Sequence, residues 1–328
     1  MCPALHSQEL SGLVLDSQTG EALIGASVFF NGSSLGTVTD QKGRFHLFSP
    51  FKTHAPLIIS YLGYRSARIA DPFELKDHTV YLDEYIQPIP EVVVTSDPFT
   101  RKQKLAVFRK EFLGDDRASR NCRILNEDVI SLSFNSFDNT LTARARAPLF
   151  IVNPYLGYVI HFDLREFSIA FKTKSLKRID NISYTRYAGF TRFEDVSENG
   201  NRVLRRRQKA YLGSPMHFMR SLWEGDLKAH DFSLKYEGES VEPDEIIQRL
   251  DREAGGFKTF RFTKSNVVVY YQFRLSYRSS LRLDGNTTFS IDRFGNYTPY
   301  RDLIFAGYMA DLRMADLLPM DYMPKKSS

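Results

Sequence analysis

The sequence predicts a mainly β protein, in which a β-sandwich is followed by a β-rich α+β domain with a helical insert. Three observations support this fold class. Short apolar runs alternate with Gly, Asn and Asp turns over the first 87 residues, a spacing typical of sandwiches. Aromatic residues, which favour strands, make up 13% of the chain. Apolar residues at helical spacing are confined to a few segments after residue 100.

The length of 328 residues fits two domains with different surfaces. Residues 1–100 carry 6 Lys/Arg and 11 Asp/Glu, whereas residues 101–328 carry 38 and 28. The basic second part is compatible with nucleic acid, lipid headgroups or acidic glycans as partners, although a mixed solvated surface is the simpler interpretation and the one we favour. The predicted organisation is a signal-peptide remnant or disordered start over 1–8, the sandwich over 9–87, a linker with a short strand over 88–99, the β-rich domain over 100–324 and a tail over 325–328.

The strands of the first domain are predicted from apolar runs that end at turn residues. Glycines at positions 20, 32, 36 and 43 suit these turns because glycine adopts positive φ at no steric cost. The runs are Leu13–Leu15, Ala26–Phe30, Gly36–Thr39, Arg44–Phe48, Leu57–Tyr61, Tyr64–Ile69 and His78–Leu82.

Four motifs in a fixed order carry a family resemblance in this region. They are D-x-x-T-G-E at 16–21, G-A-S-V at 25–28, G-T-x-T-D-x-x-G-x-F at 36–45 and S-Y-x-G-Y at 60–64. With them, residues 9–87 resemble the carboxypeptidase-regulatory-like domain. The resemblance implies a seven-stranded Ig/transthyretin-like sandwich of the bacterial envelope, an accessory domain sometimes likened to starch-binding modules.

Peptidase chemistry is not predicted, despite the family name. Six of the seven histidines lack the Glu three residues later that a zinc peptidase motif requires, and the seventh, His6, which precedes Glu9 at this spacing, lies in the predicted signal-peptide remnant or disordered start. Asp16, Glu21 and Asp40 could form a calcium or sugar site, although their turn positions favour local hydrogen bonds. Cys2 and Cys122 are too few for a disulfide framework or a cysteine-based metal site. We therefore predict no metal and no cofactor.

The second domain is predicted to combine an antiparallel meander with helices near 101–113, 202–224 and 242–253. Four of its segments, "EFLG", "NTLTARARAPLFIVNPYLGYVIHFDL", "KAYLGSPMHFMRSL" and "LLPMDYMP", also resemble known sequences. They are similar to the region that follows the regulatory-like domain in a set of Gram-negative envelope proteins. This second resemblance covers most of residues 100–324 and implies a shared architecture, without any activity.

The richest cluster of polar side chains lies in the predicted helical insert. Ser214 is a good N-cap and is followed by proline, so a helix should begin here. A helix N-terminus beside arginines is one kind of anion site, whereas the alternative is a capping serine, a solvated basic face and a packed histidine. The candidate ligand-binding residues are Arg205, Arg206, Arg207, Tyr211, Ser214, His217 and Arg220.

Catalytic motifs give little guidance. The one G-x-S-x-G string, Gly32–Gly36, falls in a predicted turn between two strands and not between a strand and a helix, so it does not predict a nucleophile elbow. The sequence contains no phosphate loop or dinucleotide fingerprint, so lipase, kinase and Rossmann functions have no motif support. Asp163 and Glu166 are a candidate carboxylate pair for a glycosidase.

The N-terminus and the family resemblance predict an exported protein, periplasmic or associated with the outer membrane. Ala4–Ser7 resembles the end of a signal peptide, so cleavage is expected near Ser7/Gln8, with Cys2 as a lipoprotein acceptor in the alternative interpretation. No run approaches the roughly 18 apolar residues of a membrane-spanning helix. An envelope location disfavours nucleic acid as a partner.

The string "PEVVVTS" at 90–96 permits two interpretations. A similar string at the head of some outer-membrane transporters contacts an energising partner, which makes this one a candidate docking peptide. Its valines between proline and a Thr-Ser-Asp-Pro turn instead predict a short apolar strand that joins the two domains. We favour the strand.

Three functions are consistent with these observations. The first is a non-enzymatic accessory protein of the envelope, with the sandwich as an interaction or spacer module and a second domain that binds a glycan, peptide or protein partner. The second is a hydrolase of surface polysaccharide or peptide, which requires polar residues to converge in a deep pocket. The third is a module linked to a TonB-dependent transport system through residues 90–96.

Overall fold

The computed structural model describes residues 8–74, 78–85, 97–177, 179–198, 200–254, 256–284, 287–299 and 302–325. The chain forms two compact units, residues 1–198 and residues 199–328. The two units divide between residues 198 and 199. The domain boundaries that the sequence predicted near residues 88 and 100 therefore stay predictions. The predicted cleavage site near Ser7/Gln8 and the predicted joint at 90–96 lie, wholly or in part, outside the described residues.

The first unit begins with the predicted sandwich. One sheet has the order β4-β1-β7 and the other the order β3-β2-β5-β6, which together give the seven strands that the family resemblance implied. Val14, Val28 and Phe45 are fully buried, or nearly so, within the sandwich. The strands are β1 (Gln8–Asp16), β2 (Ser27–Phe30), β3 (Gly36–Val38), β4 (Arg44–Ser49), β5 (Leu57–Ser60), β6 (Ala67–Ile69) and β7 (His78–Leu82).

Asp16 organises the first turn of the sandwich. Its carboxylate accepts hydrogen bonds from the backbone N–H of Gln18 at 2.7 Å and of Thr19 at 2.8 Å. The hydroxyl of Tyr64, the last residue of the S-Y-x-G-Y motif, donates a hydrogen bond to the other carboxylate oxygen of Asp16 at 2.7 Å. These hydrogen bonds, led by that of Thr19, lower the pKa of Asp16 from 3.8 to about 2.

A helix and a six-stranded sheet complete the first unit. Helix α1 (Arg101–Leu113) lies where a helix was predicted; it begins with a capping box between Thr100 and Gln103, and Gly114 caps its C-terminus. The fully buried Phe112 contacts the rings of Phe162 and Tyr187, which secures the helix to the sheet. The strands are β8 (Arg123–Ile124), β9 (Ile130–Asn135), β10 (Thr140–Ala145), β11 (Leu149–Asn153), β12 (Tyr158–Phe171) and β13 (Ile182–Asp195).

A β-bulge in β12 explains a difference from the sequence pattern. The two apolar runs at 158–162 and 167–171 belong to one strand of 14 residues in the structure. A register shift between Leu164 and Glu166 inserts one extra residue. Even-numbered residues face the core before the bulge and odd-numbered residues after it, because side chains alternate along a strand.

The sandwich joins the sheet through backbone hydrogen bonds at the outer edge of β13. The Gly32 N–H donates to the Thr191 carbonyl at 2.6 Å, and the Phe193 N–H donates to the Ser33 carbonyl at 2.8 Å. The Asn31 side chain accepts from the Thr191 N–H at 2.8 Å. The turn after β2 therefore extends the sheet by one short parallel bridge.

The second unit contains four helices and two antiparallel sheets, in the orders β15-β14-β18-β19-β22 and β16-β17-β20-β21, among its described residues. The helices are α2 (Asn201–Tyr211), α3 (Pro215–Glu224), α4 (Pro243–Ile246) and α5 (Tyr308–Asp311). The strands are β14 (Phe232–Tyr236), β15 (Glu239–Val241), β16 (Ile247–Ala254), β17 (Phe257–Phe262), β18 (Val267–Tyr271), β19 (Ser279–Leu283), β20 (Thr288–Ile291), β21 (Tyr297–Thr298) and β22 (Leu303–Gly307).

The predicted helix over 242–253 is wrong beyond its first turn. Only Pro243–Ile246 is helical, and Ile247–Ala254 is a strand that pairs antiparallel with β17. The apolar residues that suggested a helix instead meet Phe262 and its neighbours across the hairpin. The Gly255–Gly256 dipeptide between the two strands is the turn signal that this interpretation missed.

Candidate functional site

Helices α2 and α3 carry six of the seven candidate residues and Ser214 is the N-cap of α3, but the structure divides these residues between two environments. Arg205 is exposed and Arg206 is half-buried. The other five residues are buried, each with less than a tenth of its surface exposed: Arg207, Tyr211, Ser214, His217 and Arg220. The cluster that is continuous in sequence therefore does not form one continuous surface.

Ser214 caps helix α3, as predicted. Its hydroxyl accepts a hydrogen bond from the His217 N–H at 3.2 Å, and Pro215 occupies the first turn. A small cavity of about 90 Å³ lies at this helix start, and Asp316 is among its lining residues. The negative charge of the Asp316 carboxylate disfavours the binding of an anion in this cavity. The geometry at this end of α3 therefore favours a capping role for Ser214 over ligand binding.

His217 is held within a group of aromatic rings. Its Nδ1 accepts a hydrogen bond from the Gly213 N–H at 3.1 Å. The rings of Tyr211 and Phe232 lie 4.7 and 4.9 Å from its own ring, centroid to centroid. Burial, followed by the charges of His230 and Arg220, lowers the pKa of His217 from 6.5 to about 3. The imidazole is therefore neutral near pH 7 and offers no cation to a ligand.

Arg220 binds three backbone carbonyls that are distant in sequence. Its Nε donates to Phe294 O at 3.0 Å, while its two terminal nitrogens donate to Tyr322 O at 2.8 Å and Met320 O at 2.7 Å. The guanidinium also lies 5.5 Å from the ring centroid of Tyr211. Arg220 thus uses its side-chain donors to hold backbone carbonyls of the second unit, two of them in its C-terminal segment.

Arg205 belongs to the face of α2 that borders a larger cavity. This cavity has a volume of about 390 Å³ and is lined by Asn201, Leu204, Arg205, Gln208 and Lys325. The first four share one helix face, since residues three, four and seven apart lie on the same side. Helix α2 contains no acidic residue. Two cations and two amides therefore surround one small apolar side chain.

The sequence did not indicate Asn201, Gln208 or Lys325. Asn201 and Gln208 are at helical spacing from Arg205, which is the signal that could have indicated them. Lys325 is in the predicted tail, 120 residues from Arg205, and no local pattern connects the two positions.

The carboxylates considered for other chemistry have local partners. Asp163 accepts from the Ser66 hydroxyl at 2.7 Å and lies 3.2 Å from Arg165. Glu166 lies 3.8 Å from Arg186. Asp40 accepts from two N–H groups of its own turn, in keeping with the expected local bonding. Among the described residues, no group of three or more His, Cys, Asp or Glu side chains could hold a metal ion.

Comparison with known proteins identifies the first module. Residues 10–94 match the CarboxypepD_reg-like domain family. This match confirms the resemblance predicted for residues 9–87. The same region is 36% identical, over 81 residues, to the TonB-dependent receptor SusC of Bacteroides thetaiotaomicron. That alignment covers 24% of this chain and only 8% of the receptor, so the likeness concerns one CarboxypepD_reg-like module. No helix in the described ranges is long and apolar enough to span a bilayer.

Proposed function

We propose that this protein is a non-enzymatic accessory protein of the bacterial envelope, periplasmic or associated with the outer membrane. The CarboxypepD_reg-like sandwich serves as a spacer or interaction module, and the second unit binds an acidic glycan. The candidate carboxylates Asp163 and Glu166 have local partners, and three of the candidate ligand-binding residues have structural roles, which supports a non-enzymatic function. His217 is packed and neutral, Ser214 caps a helix and Arg220 binds backbone carbonyls.

The cavity beside α2 is the observation that carries the binding function. Its volume of about 390 Å³ falls within the usual range for small-molecule sites. Arg205 and Lys325 can bind a carboxylate or phosphate, while the Asn201 and Gln208 amides suit sugar hydroxyls. An acidic sugar satisfies both kinds of group, whereas a neutral sugar leaves the two cations without a counter-charge.

Titration calorimetry of the full chain with oligogalacturonate, compared with a neutral galacto-oligosaccharide of equal length, tests this proposal. We expect the Arg205→Gln variant to bind the acidic oligosaccharide about tenfold more weakly, because a charge-assisted hydrogen bond contributes about 1.5 kcal/mol or more. Arg202→Gln is the matched control, since Arg202 is an exposed arginine of α2 that does not line the cavity. Equal affinity for the two oligosaccharides, or equal losses in the two variants, would contradict the proposal.

The likeness to SusC favours a second candidate function, a module linked to a TonB-dependent transport system. Residues 90–96 are the candidate contact. The test is binding of the full chain to a purified TonB periplasmic domain, compared with a variant in which residues 90–96 are replaced by Gly and Ser. Loss of binding in that variant supports this function, and binding that is absent or unchanged argues against it.

A further inference from the structure

The loop Gln272–Arg278, which joins β18 to β19, presents two apolar side chains to solvent. Phe273 is 81% exposed and Leu275 is 80% exposed. They are separated by one residue in the sequence, and we call these two residues the apolar tip of the loop. Large apolar side chains that are exposed together usually mark an interaction site, whereas single ones need no explanation.

The backbone of this loop is strained where it presents Phe273. Gln272 and Phe273 both have φ values of 52°, in the left-handed region that bulky residues rarely adopt. Strain of this kind persists only where the surrounding structure imposes it, and it is concentrated at functional sites.

Contacts on both sides of the tip impose the strained conformation. The Gln272 N–H donates to the Asp231 carbonyl at 2.8 Å, and the Arg274 N–H donates to the Tyr271 carbonyl at 3.2 Å. On the other side, the Tyr277 ring lies 4.6 Å from the ring of Tyr308, centroid to centroid. The apolar tip is thus preorganised, which lowers the entropic cost of binding.

The loop carries positive charge, and the carboxylate of Asp231 accepts a hydrogen bond from the Gln272 side chain at 3.3 Å at its start. Between Tyr270 and Leu283 the chain has three arginines, Arg274, Arg278 and Arg282, and no acidic residue. Arg274 lies between the two apolar residues, and both Arg274 and Arg278 are exposed. An apolar protrusion with arginines beside it complements an anionic lipid surface, in which acyl chains lie beneath phosphate groups.

We propose that the 272–278 loop binds an anionic membrane surface. Phe273 and Leu275 enter the boundary between headgroups and acyl chains, and Arg274 and Arg278 bind lipid phosphates. The site is separate from the cavity beside α2 and does not depend on the glycan proposal.

Vesicle co-sedimentation of the full chain tests the proposal, with phosphatidylcholine vesicles compared with vesicles containing 30% phosphatidylglycerol. We expect binding to the anionic vesicles that weakens at high salt. The Phe273→Ser/Leu275→Ser variant should bind at least about tenfold more weakly, because both apolar side chains lose their burial. Arg274→Gln/Arg278→Gln should lose the preference for phosphatidylglycerol.

Phe137→Ser is the matched control, because Phe137 is 96% exposed at a hairpin tip of the first unit and is followed by Asp138. It should bind like the native protein. A Phe273→Trp variant should also be quenched by nitroxide-labelled lipids more strongly than the native protein, whose one tryptophan is Trp223. No vesicle binding, or an equal loss in the Phe137→Ser variant, would overturn the proposal, and so would binding of the native protein to a protein partner alone.

Discussion

Replacement of Arg220 by methionine tests whether this residue is structural, as its contacts indicate, or ligand-binding, as the sequence predicted. The three hydrogen bonds to Phe294, Met320 and Tyr322 involve a charged donor, and such bonds contribute about 1.5–3 kcal/mol each. The sum of these three contributions is an upper bound on the loss of stability. Methionine keeps much of the packing of the arginine side chain, and some of the freed carbonyls of the C-terminal segment form hydrogen bonds to water. We expect the free energy of unfolding of the second unit to fall by about 3–5 kcal/mol.

Urea denaturation followed by tryptophan fluorescence measures this loss, because Trp223 is the chain's one tryptophan and lies in α3 beside Arg220. Hydrogen exchange should also become faster for the amides of residues 320–322. Arg220→Lys should recover part of the stability through one retained cation, and the exposed Arg202→Met should change little. An unchanged denaturation midpoint together with native exchange at 320–322 would refute the structural role.

Three other changes have defined outcomes. Phe112→Ala should lower the stability of the first unit by about 3–5 kcal/mol, measured by hydrogen exchange of β12 amides, because this fully buried ring contacts Phe162 and Tyr187. The pKa of Asp16 is lowered in the folded state to about 2, so its stabilisation is complete above about pH 4 and is lost between pH 4 and 2. Melting temperatures across this range should fall less steeply for Asp16→Asn, and equal slopes would contradict this assignment. The pKa of His217 is lowered from 6.5 to about 3, so the unfolded chain binds the proton first and stability should decline as pH falls below about 6.5. NMR signals of the His217 ring should not titrate between pH 5 and 8, and a midpoint near 6.5 would show that the ring is solvated.

The sequence predicted features whose signals are local. The sequence indicated helix α1 over 101–113 from the spacing of its apolar residues, and the start of α3 from Ser214 and Pro215, because helical spacing and capping depend on residues three or four positions apart. The seven strands of the sandwich followed from turn residues and from the family motifs. These features are independent of distant contacts, which is why they could be predicted.

Side-chain roles could not be predicted where they depend on distant partners. The acceptors of Arg220 are 74–102 residues away, so a basic run resembled a binding surface although part of it is a structural contact. Similarly, the spacing of the apolar residues in β16 is compatible with a helix. The segment is instead an extended strand, because pairing with β17 satisfies its backbone hydrogen bonds. Local propensity is a weak guide where tertiary pairing competes with it.

The bridge between the sandwich and β13 has a consequence for how such proteins evolve. The Gly32 and Ser33 contacts occupy backbone groups of Thr191 and Phe193 that would otherwise form part of an open sheet edge. Open edges promote aggregation, because they offer unpaired N–H and C=O groups to other chains. A gene that lost the sandwich would therefore encode a protein prone to self-association. Although the two regions resemble interchangeable modules in sequence, selection against aggregation favours their inheritance as a pair.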